Sequence, residues 1–134
     1  MSVGFVMMVH EALNRAEQVA RHWATHGCPV VLHVDSRVPK KEFSTFQKSL
    51  SDLENVQFCK RYRCEWGTWS LVAATQAGAE MMLASNPEVR HVYLASGACL
   101  PLRPVEELIS YLAERPRTNF IESVTTRDVR WTTG

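Results

Sequence analysis

The stretch VYLASGACLPL, residues 92–102, decides the fold class, because an apolar run ends abruptly in Ser-Gly and Pro-Leu precedes a helical pattern. Such a break is typical of the carboxyl end of a strand in an open parallel sheet, where ligands of α/β proteins bind. A second break of this kind, HVDSR at residues 33–37, follows another apolar run. We therefore expect two strand ends to meet at one crevice.

Strand-like and helix-like segments alternate along the chain, which predicts a Rossmann-like α/β fold with a mostly parallel sheet and helices on both faces. The predicted strands are residues 3–9, 29–35, 56–58, 89–95 and 119–122, with 61–64 as a further candidate. The predicted helices are residues 11–26, 39–53, 70–85 and 104–114. Because the pattern fades afterwards, we expect residues 1–134 to be the amino-terminal part of a single domain.

Composition limits the possible functions. A chain of 134 residues with 46% hydrophobic side chains can bury one core but hardly two. Fifteen basic and fourteen acidic residues leave a net charge of +1, which does not indicate a nucleic-acid surface. The apolar residues 4–9 are too few to cross a bilayer and lack the basic flank of a signal peptide, so we expect a protein that is cytoplasmic or peripheral to a membrane. The cysteines show no C-x-x-C spacing and are expected to be reduced.

Several familiar motifs are absent from the sequence. No G-x-G-x-x-G follows the first strand, where Val9, His10 and Glu11 stand, and there is no G-x-x-x-x-G-K phosphate loop or G-x-S-x-G elbow. The five histidines have no zinc-like spacing, and no D-x-D occurs. Dinucleotide binding and a metal site are therefore disfavoured.

Polar residues at four predicted strand ends form the candidate site. They are His10 and Glu11, Asp35 and Arg37, residues 66–70, and Ser96 with Gly97. Each group also has a structural explanation: a helix cap at His10 and Glu11, an Asx turn at Asp35 beside a solvated Arg37, core packing of Trp66 and Trp69, and a turn at Ser96. Four polar breaks at one edge of a sheet nevertheless match the ligand crevice of open α/β folds.

Four motifs, in this order and spacing, resemble the core-2/I-branching β-1,6-N-acetylglucosaminyltransferase family, whose pattern peptide O-xylosyltransferases share. The motifs are FVMMVH (5–10), HVDSR (33–37), WGTWS (66–70) and LASGACLPL (94–102), and the resemblance extends to Glu122. It implies a GT-A-type fold and inverting transfer from a uridine diphosphate (UDP) sugar, without metal or another cofactor, to a glycan or other hydroxyl-bearing acceptor. The chain would be the donor-binding part of such an enzyme.

The resemblance also assigns donor-binding residues. They are Val9, His10, Asp35, Arg37, Trp66, Gly67, Ser70, Ser96 and Gly97. Val9, His10 and Asp35 would hold the nucleoside, and Arg37 would reach a phosphate through its planar fork. Trp66 and Gly67 would bring the chain close to the donor, with the Ser70 hydroxyl at a helix N-terminus. Ser96 and Gly97 would line the sugar side, followed by Cys99 where many relatives have Asp.

An inverting transfer needs a general base that deprotonates the acceptor hydroxyl. The resemblance implies a Glu in this role, which we expect beyond Gly134; Glu122 and Asp128 are the candidates within the sequence. The 134 residues alone are therefore expected to be inactive. Two alternatives stay open: a non-catalytic nucleotide-sugar or glycan-binding module with the same fold, and an unrelated α/β interaction domain whose polar strand ends are only caps and turns.

Overall fold

The computed structural model describes residues 2–121. Within them, four parallel strands form a sheet, and helices pack on both of its faces. In chain order the elements are β1 (Val3–Val9), α1 (Leu13–Thr25), β2 (Val30–Val34), α2 (Lys40–Ser49), β3 (Val56–Phe58), α3 (Trp69–Ser85), β4 (His91–Ser96) and α4 (Val105–Ala113). The strand order is β3-β2-β1-β4, and every pairing is parallel. The α/β fold predicted from the sequence is confirmed.

Two apolar layers hold the helices on the sheet. On one face, α1, α2 and α4 cover a core that includes Phe5, Trp23 and Leu32, and the Phe5 and Trp23 rings stack with centroids 4.0 Å apart. On the other face, α3 packs Met82 against Val6 and its neighbours. Because both faces of β1 and β2 are covered, these strands are continuously apolar, as in other buried parallel sheets.

A glycine just beyond α1 ends the helix and turns the chain. Gly27 adopts a left-handed φ of 87°, as expected for a glycine just beyond a helix. The Gly27 N–H donates to the Ala24 carbonyl (3.0 Å) and the Cys28 N–H donates to the Trp23 carbonyl (3.1 Å). This Schellman motif ends the helix and directs the chain into β2.

The predicted strand at residues 61–64 is wrong. This stretch is coil: the Tyr62 and Cys64 N–H groups donate to the side chains of His33 and Asp35, and the backbone bond from the Ser36 N–H to the Tyr62 carbonyl (3.0 Å) does not continue the ladder. The described part of the strand predicted at 119–122, residues 119–121, is coil as well, and Glu122 lies outside the described residues. The predicted second helix is too long at its carboxyl end, since α2 is capped at Leu50.

No helix within residues 2–121 is both long and apolar enough to cross a membrane.

All four cysteines are free thiols, as predicted: Cys28 and Cys59 are buried, Cys64 is half-buried and Cys99 is exposed.

Close packing of α3 on the sheet depends on Gly78. A Cβ atom at this position would lie 2.6 Å from Cγ1 of Val6, whose β-branched side chain is buried and stiff. Small residues on the inner face therefore set how near α3 approaches β1.

Substitution Gly78→Ala is expected to destabilise the protein by about 1–3 kcal/mol, because overpacking against Val6 outweighs the better helix propensity of alanine. Urea unfolding measures the change. The control Ala84→Gly, at an exposed position of the same helix, is expected to lose up to about 1 kcal/mol through backbone entropy alone. A more stable Gly78→Ala protein would contradict the close approach.

Candidate functional site

A cavity of about 280 Å³ lies at the carboxyl ends of β1 and β2, beside the start of α3. We call it the strand-end cavity. Its lining consists of Met8, Val9, His10, His33, Asp35, Arg37, Cys64, Trp66 and Leu71. Five of the nine residues proposed for donor binding therefore meet there. This edge of a parallel sheet is also where ligands of α/β proteins bind.

A larger cavity of about 570 Å³ lies between α1 and α4. Apolar side chains such as Trp23 and Leu108 form most of its wall, and it is lined by none of the nine candidate residues. Ligand sites combine apolar walls with a few converging polar groups. We take the strand-end cavity as the candidate site because its wall has both, at the sheet edge expected for ligands.

A sharp turn after β1 holds His10 at the mouth of the cavity. Ala12 adopts a left-handed φ of 51° there, which costs a residue with a Cβ atom about 1 kcal/mol. The N-cap of α1 is this alanine and has no side-chain hydrogen bond, so His10 and Glu11 do not cap the helix. Both side chains are exposed, with His10 Nε2 3.5 Å from Glu11 Oε1.

The Asp35 carboxylate is fully hydrogen-bonded within the protein. Oδ1 accepts bonds from the backbone N–H (2.9 Å) and Nε (3.0 Å) of Arg37, and Oδ2 accepts bonds from Arg37 Nη2 (2.9 Å) and the Cys64 N–H (3.0 Å). A carboxylate has about four acceptor positions, so all are used. Burial raises the pKa of Asp35, but the hydrogen bonds from Arg37 and Cys64 outweigh it and hold that pKa well below its ordinary value.

These bonds give Asp35 a structural role. The sequence left two explanations of this residue open, an Asx turn and ligand binding. The bond from the Arg37 N–H to Oδ1 forms an Asx turn, and only 2% of the Asp35 side chain is exposed. Arg37 is not simply solvated, because its Nη2 also donates to the Cys64 carbonyl (2.6 Å). Direct contact between Asp35 and a nucleoside stays a prediction.

Residues 60–65, which we call the wall segment, are tied to the end of β2. Arg61 donates from Nε to the Val34 carbonyl (3.1 Å) and from Nη2 to the carbonyls of Asp35 (2.8 Å) and Val38 (2.6 Å). The Tyr62 N–H donates to Nε2 of His33 (2.8 Å). His33 belongs to the HVDSR motif and Arg61 to none of the motifs. The hydrogen bonds that these two side chains make to the other segment were not predicted, because the bonded residues are far apart in sequence.

The turn at residues 66–68 leads from the wall segment into α3 and leaves its tryptophans outside the core. Trp66 is 96% exposed and Trp69 is 69% exposed, so the explanation of both as core aromatics is wrong. Gly67 has a left-handed φ of 75°, which glycine adopts without strain. Only Trp66 of these three residues lines the cavity.

The hydroxyl of Ser70 stabilises this turn. Its Oγ accepts a bond from the Glu65 N–H (3.0 Å) and lies 2.6 Å from Oγ1 of Thr68. Ser70 does not line the strand-end cavity. A contact with the donor would therefore compete with bonds that Ser70 already makes.

Ser96, the last residue of β4, and Gly97 begin a turn next to the end of β1. The Cys99 N–H donates to the Ser96 carbonyl (3.0 Å), and the Gly97 N–H donates to the Met8 carbonyl (2.8 Å). Sγ of Cys99 lies 3.3 Å from the Ser96 N–H, which donates to it. The turn explanation therefore applies here, and neither Ser96 nor Gly97 lines the strand-end cavity.

Comparison with known families agrees with the motif order. The family model for the Core-2/I-Branching enzyme matches residues 3–133. The chain belongs to the core-2/I-branching enzyme family. A search of curated proteins found no match. This family consists of glycosyltransferases, so the strand-end cavity of this core-2/I-branching protein is a candidate nucleotide-sugar site.

The two candidate general bases of this core-2/I-branching protein, Glu122 and Asp128, lie outside the described residues. Within residues 2–121, no group of three or more His, Cys, Asp and Glu side chains is placed to hold a metal ion.

Substitution Asp35→Asn is expected to cost the core-2/I-branching protein about 2–3 kcal/mol at pH 7, because a neutral amide replaces a buried, fully bonded carboxylate. The pKa of Asp35 is lower in the folded than in the unfolded protein, so this stabilisation is present above about pH 3.9 and is lost as the pH falls further. Urea unfolding of the original protein and of Asp35→Asn between pH 7 and pH 2 measures the difference between their free energies of unfolding, which is expected to narrow as the pH falls.

The matched control is Asp52→Asn, which removes an exposed carboxylate that is also bonded to an arginine, Arg21 Nη1 to Oδ2 at 2.7 Å. We expect a smaller loss, since solvent weakens exposed ion pairs. Equal losses at Asp35 and Asp52 would contradict the special role of the buried carboxylate.

Proposed function

We propose that this chain is the donor-binding part of an inverting, metal-independent glycosyltransferase that uses a UDP-sugar, of the β-1,6-N-acetylglucosaminyl or xylosyl type. One observation carries the proposal: five residues that the family resemblance assigns to the donor line a single cavity at the ends of β1 and β2. They are Val9, His10, Asp35, Arg37 and Trp66.

The size and lining of the strand-end cavity support a nucleoside as its occupant. Its volume of about 280 Å³ is at the lower limit of small-molecule sites, so it suits a nucleoside better than a whole nucleotide sugar. The indole of Trp66 offers a face on which a planar base can stack, and Met8 and Leu71 add apolar surface. His10 supplies ring nitrogens for hydrogen bonds at the exposed rim.

Arg37 is proposed to contact a phosphate with only part of its guanidinium. Nε and Nη2 bond Asp35 and the Cys64 carbonyl, but no described residue accepts a bond from Nη1, and 51% of the side chain is exposed. The N–H groups on Nη1 are therefore free to meet phosphate oxygens. Asp35 already balances the positive charge of Arg37. Such a contact therefore orients the phosphate but adds little net positive charge beside it, and other groups have to neutralise the diphosphate.

Asp35 is unsuited to be the general base of the transfer. Among the described residues that line the strand-end cavity, it is the only carboxylate. Its oxygens all accept hydrogen bonds and its pKa is well below the ordinary value, so it attracts a proton weakly. We therefore propose that these 134 residues bind the donor and that the base is contributed from outside the cavity.

UDP is expected to bind the protein and to raise its melting temperature. The substitution Trp66→Ala is expected to weaken UDP binding by about 5- to 150-fold, because stacking of a base on an aromatic ring contributes about 1–3 kcal/mol. Isothermal titration calorimetry measures the two affinities, and scanning calorimetry measures the melting temperature. The control is Trp69→Ala, which removes an exposed tryptophan that does not line the cavity. Failure of UDP to bind, or equal weakening by both substitutions, would contradict the proposed site.

Transfer is expected to be absent from the 134-residue protein even when its donor site is saturated. Release of UDP from UDP-N-acetylglucosamine or UDP-xylose, in the presence of a sugar acceptor, measures transfer and hydrolysis together. Binding of UDP is expected to be the same with and without EDTA, because the family resemblance implies donor binding without a metal ion. Turnover by the 134 residues, or loss of binding in EDTA, would overturn that part of the proposal.

A longer protein with the same first 134 residues separates the transferase from its non-catalytic alternative. Transfer by the longer protein supports the enzyme, whereas donor binding without transfer supports a nucleotide-sugar-binding module.

A further inference from the structure

We infer that His33 is a pH-dependent positioning residue, whose neutral imidazole holds the wall segment against the end of β2 and thereby shapes the strand-end cavity. The inference rests on the proposed function only for its effect on the donor. The hydrogen bond between His33 and the wall segment can be tested without a ligand.

His33 is a buried polar side chain in a central strand. Only 1% of the residue is exposed, and its Nε2 accepts the Tyr62 N–H at 2.8 Å. A ring nitrogen accepts a hydrogen bond only when it carries no proton, so the imidazole is neutral with its proton on Nδ1. The ring of Tyr62 lies alongside, with the two centroids 6.0 Å apart.

The imidazole of His33 provides a hydrogen-bond acceptor beyond the point where the backbone pairing between β2 and β3 ends. The pairing between β2 and β3 ends at Leu32 and Phe58, after which the Cys59 N–H still donates to the Leu32 carbonyl (3.1 Å). The next outward carbonyl of β2, that of Val34, accepts Arg61 Nε instead. Without His33 the Tyr62 N–H would lose this partner, and within residues 2–121 only the bond from the Ser36 N–H to the Tyr62 carbonyl (3.0 Å) would hold the Tyr62 peptide groups to the end of β2.

Charged and titratable groups approach His33 from several elements. Burial lowers the pKa of His33, the Asp35 carboxylate raises it, and the Arg61 guanidinium lowers it. Cys64 of the wall segment, and His10 and Arg37 at the rim, line the same cavity. From α3 the lining residue is the apolar Leu71.

Protonation of His33 would turn its acceptor into a donor. The Nε2–H and the Tyr62 N–H would then face each other as two donors, and the Arg61 guanidinium would lie near a second positive charge. The wall segment also carries the Cys64 N–H that bonds Asp35, and it leads directly into Trp66. Charging the ring therefore displaces one side of the cavity, rather than only a remote surface.

The direction of the pH effect follows from the lowered pKa of His33. The folded protein binds fewer protons at this residue than the unfolded chain does, so its full stabilisation is present above about pH 6.5 and is lost as the pH falls below it. Donor affinity is a property of the folded protein, so it is expected to fall at lower pH, below the folded-state pKa of His33, where the ring becomes charged and the wall segment is released.

Long-range ¹H–¹⁵N spectra of the ligand-free protein test the hydrogen bond directly. We expect His33 to be neutral at pH 7.5 with its proton on Nδ1 and an unprotonated Nε2, and the Tyr62 amide resonance to shift with the titration of the ring. A proton on Nε2 at pH 7.5 would overturn the inference, whether or not UDP binds. Failure of UDP to bind with the expected tautomer present would instead count against the proposed function.

Substitution His33→Gln tests the positioning role, because the glutamine oxygen can accept the Tyr62 N–H but does not titrate. At pH 7.5 its UDP affinity is expected to lie within about threefold of the original protein, and the acid loss, about tenfold per pH unit below the pKa of His33, is expected to disappear. His33→Leu should weaken binding at every pH. The control His22→Gln, on α1 and outside the cavity, should keep the acid loss.

Parallel pH profiles for the original protein and His33→Gln would overturn the inference. So would an acid loss that disappears in His10→Gln but persists in His33→Gln, because the loss would then depend on His10 and not on His33.

Discussion

The buried carboxylate of Asp35 is the interaction on which the candidate site depends. A charge that is almost completely removed from water is costly unless hydrogen bonds and an opposite charge compensate it. Arg37 and the Cys64 N–H provide that compensation at four distances of 2.9–3.0 Å. The bond from the Cys64 N–H joins the end of β2 to the wall segment, so the charge is fully compensated only while the cavity keeps its shape.

Much of the fold was predictable because it depends on local periodicity. The continuous apolar runs of β1 and β2 and the inner faces of the helices follow from side chains that are buried at regular spacing. The strand predicted at residues 61–64 failed for the opposite reason, since its partners are side chains of His33 and Asp35 about 29 positions earlier. The exposed Trp66 was also unpredictable from hydrophobicity, which ordinarily places tryptophan in a core.

The motifs located the site but did not distinguish the residues whose hydrogen bonds shape it from the residues that are accessible to a ligand. Asp35 and Ser70 are engaged in bonds that shape the protein, whereas His10, Trp66 and one edge of the Arg37 guanidinium remain open to a ligand. Sequence patterns record both kinds of residue in the same way, because each constrains the residue type at its position. Only contacts between distant parts of the chain separate them.

Mapping UDP by backbone amide shifts tests the central claim most directly. If UDP occupies the strand-end cavity, the largest shifts on titration will be those of Val9, His10, Arg37, Cys64 and Trp66, while amides around the larger cavity, such as Leu102, Val105 and Leu108, will move little. Shifts concentrated between α1 and α4 would place the ligand in the other cavity. That result, or no shift at millimolar UDP, would contradict the account.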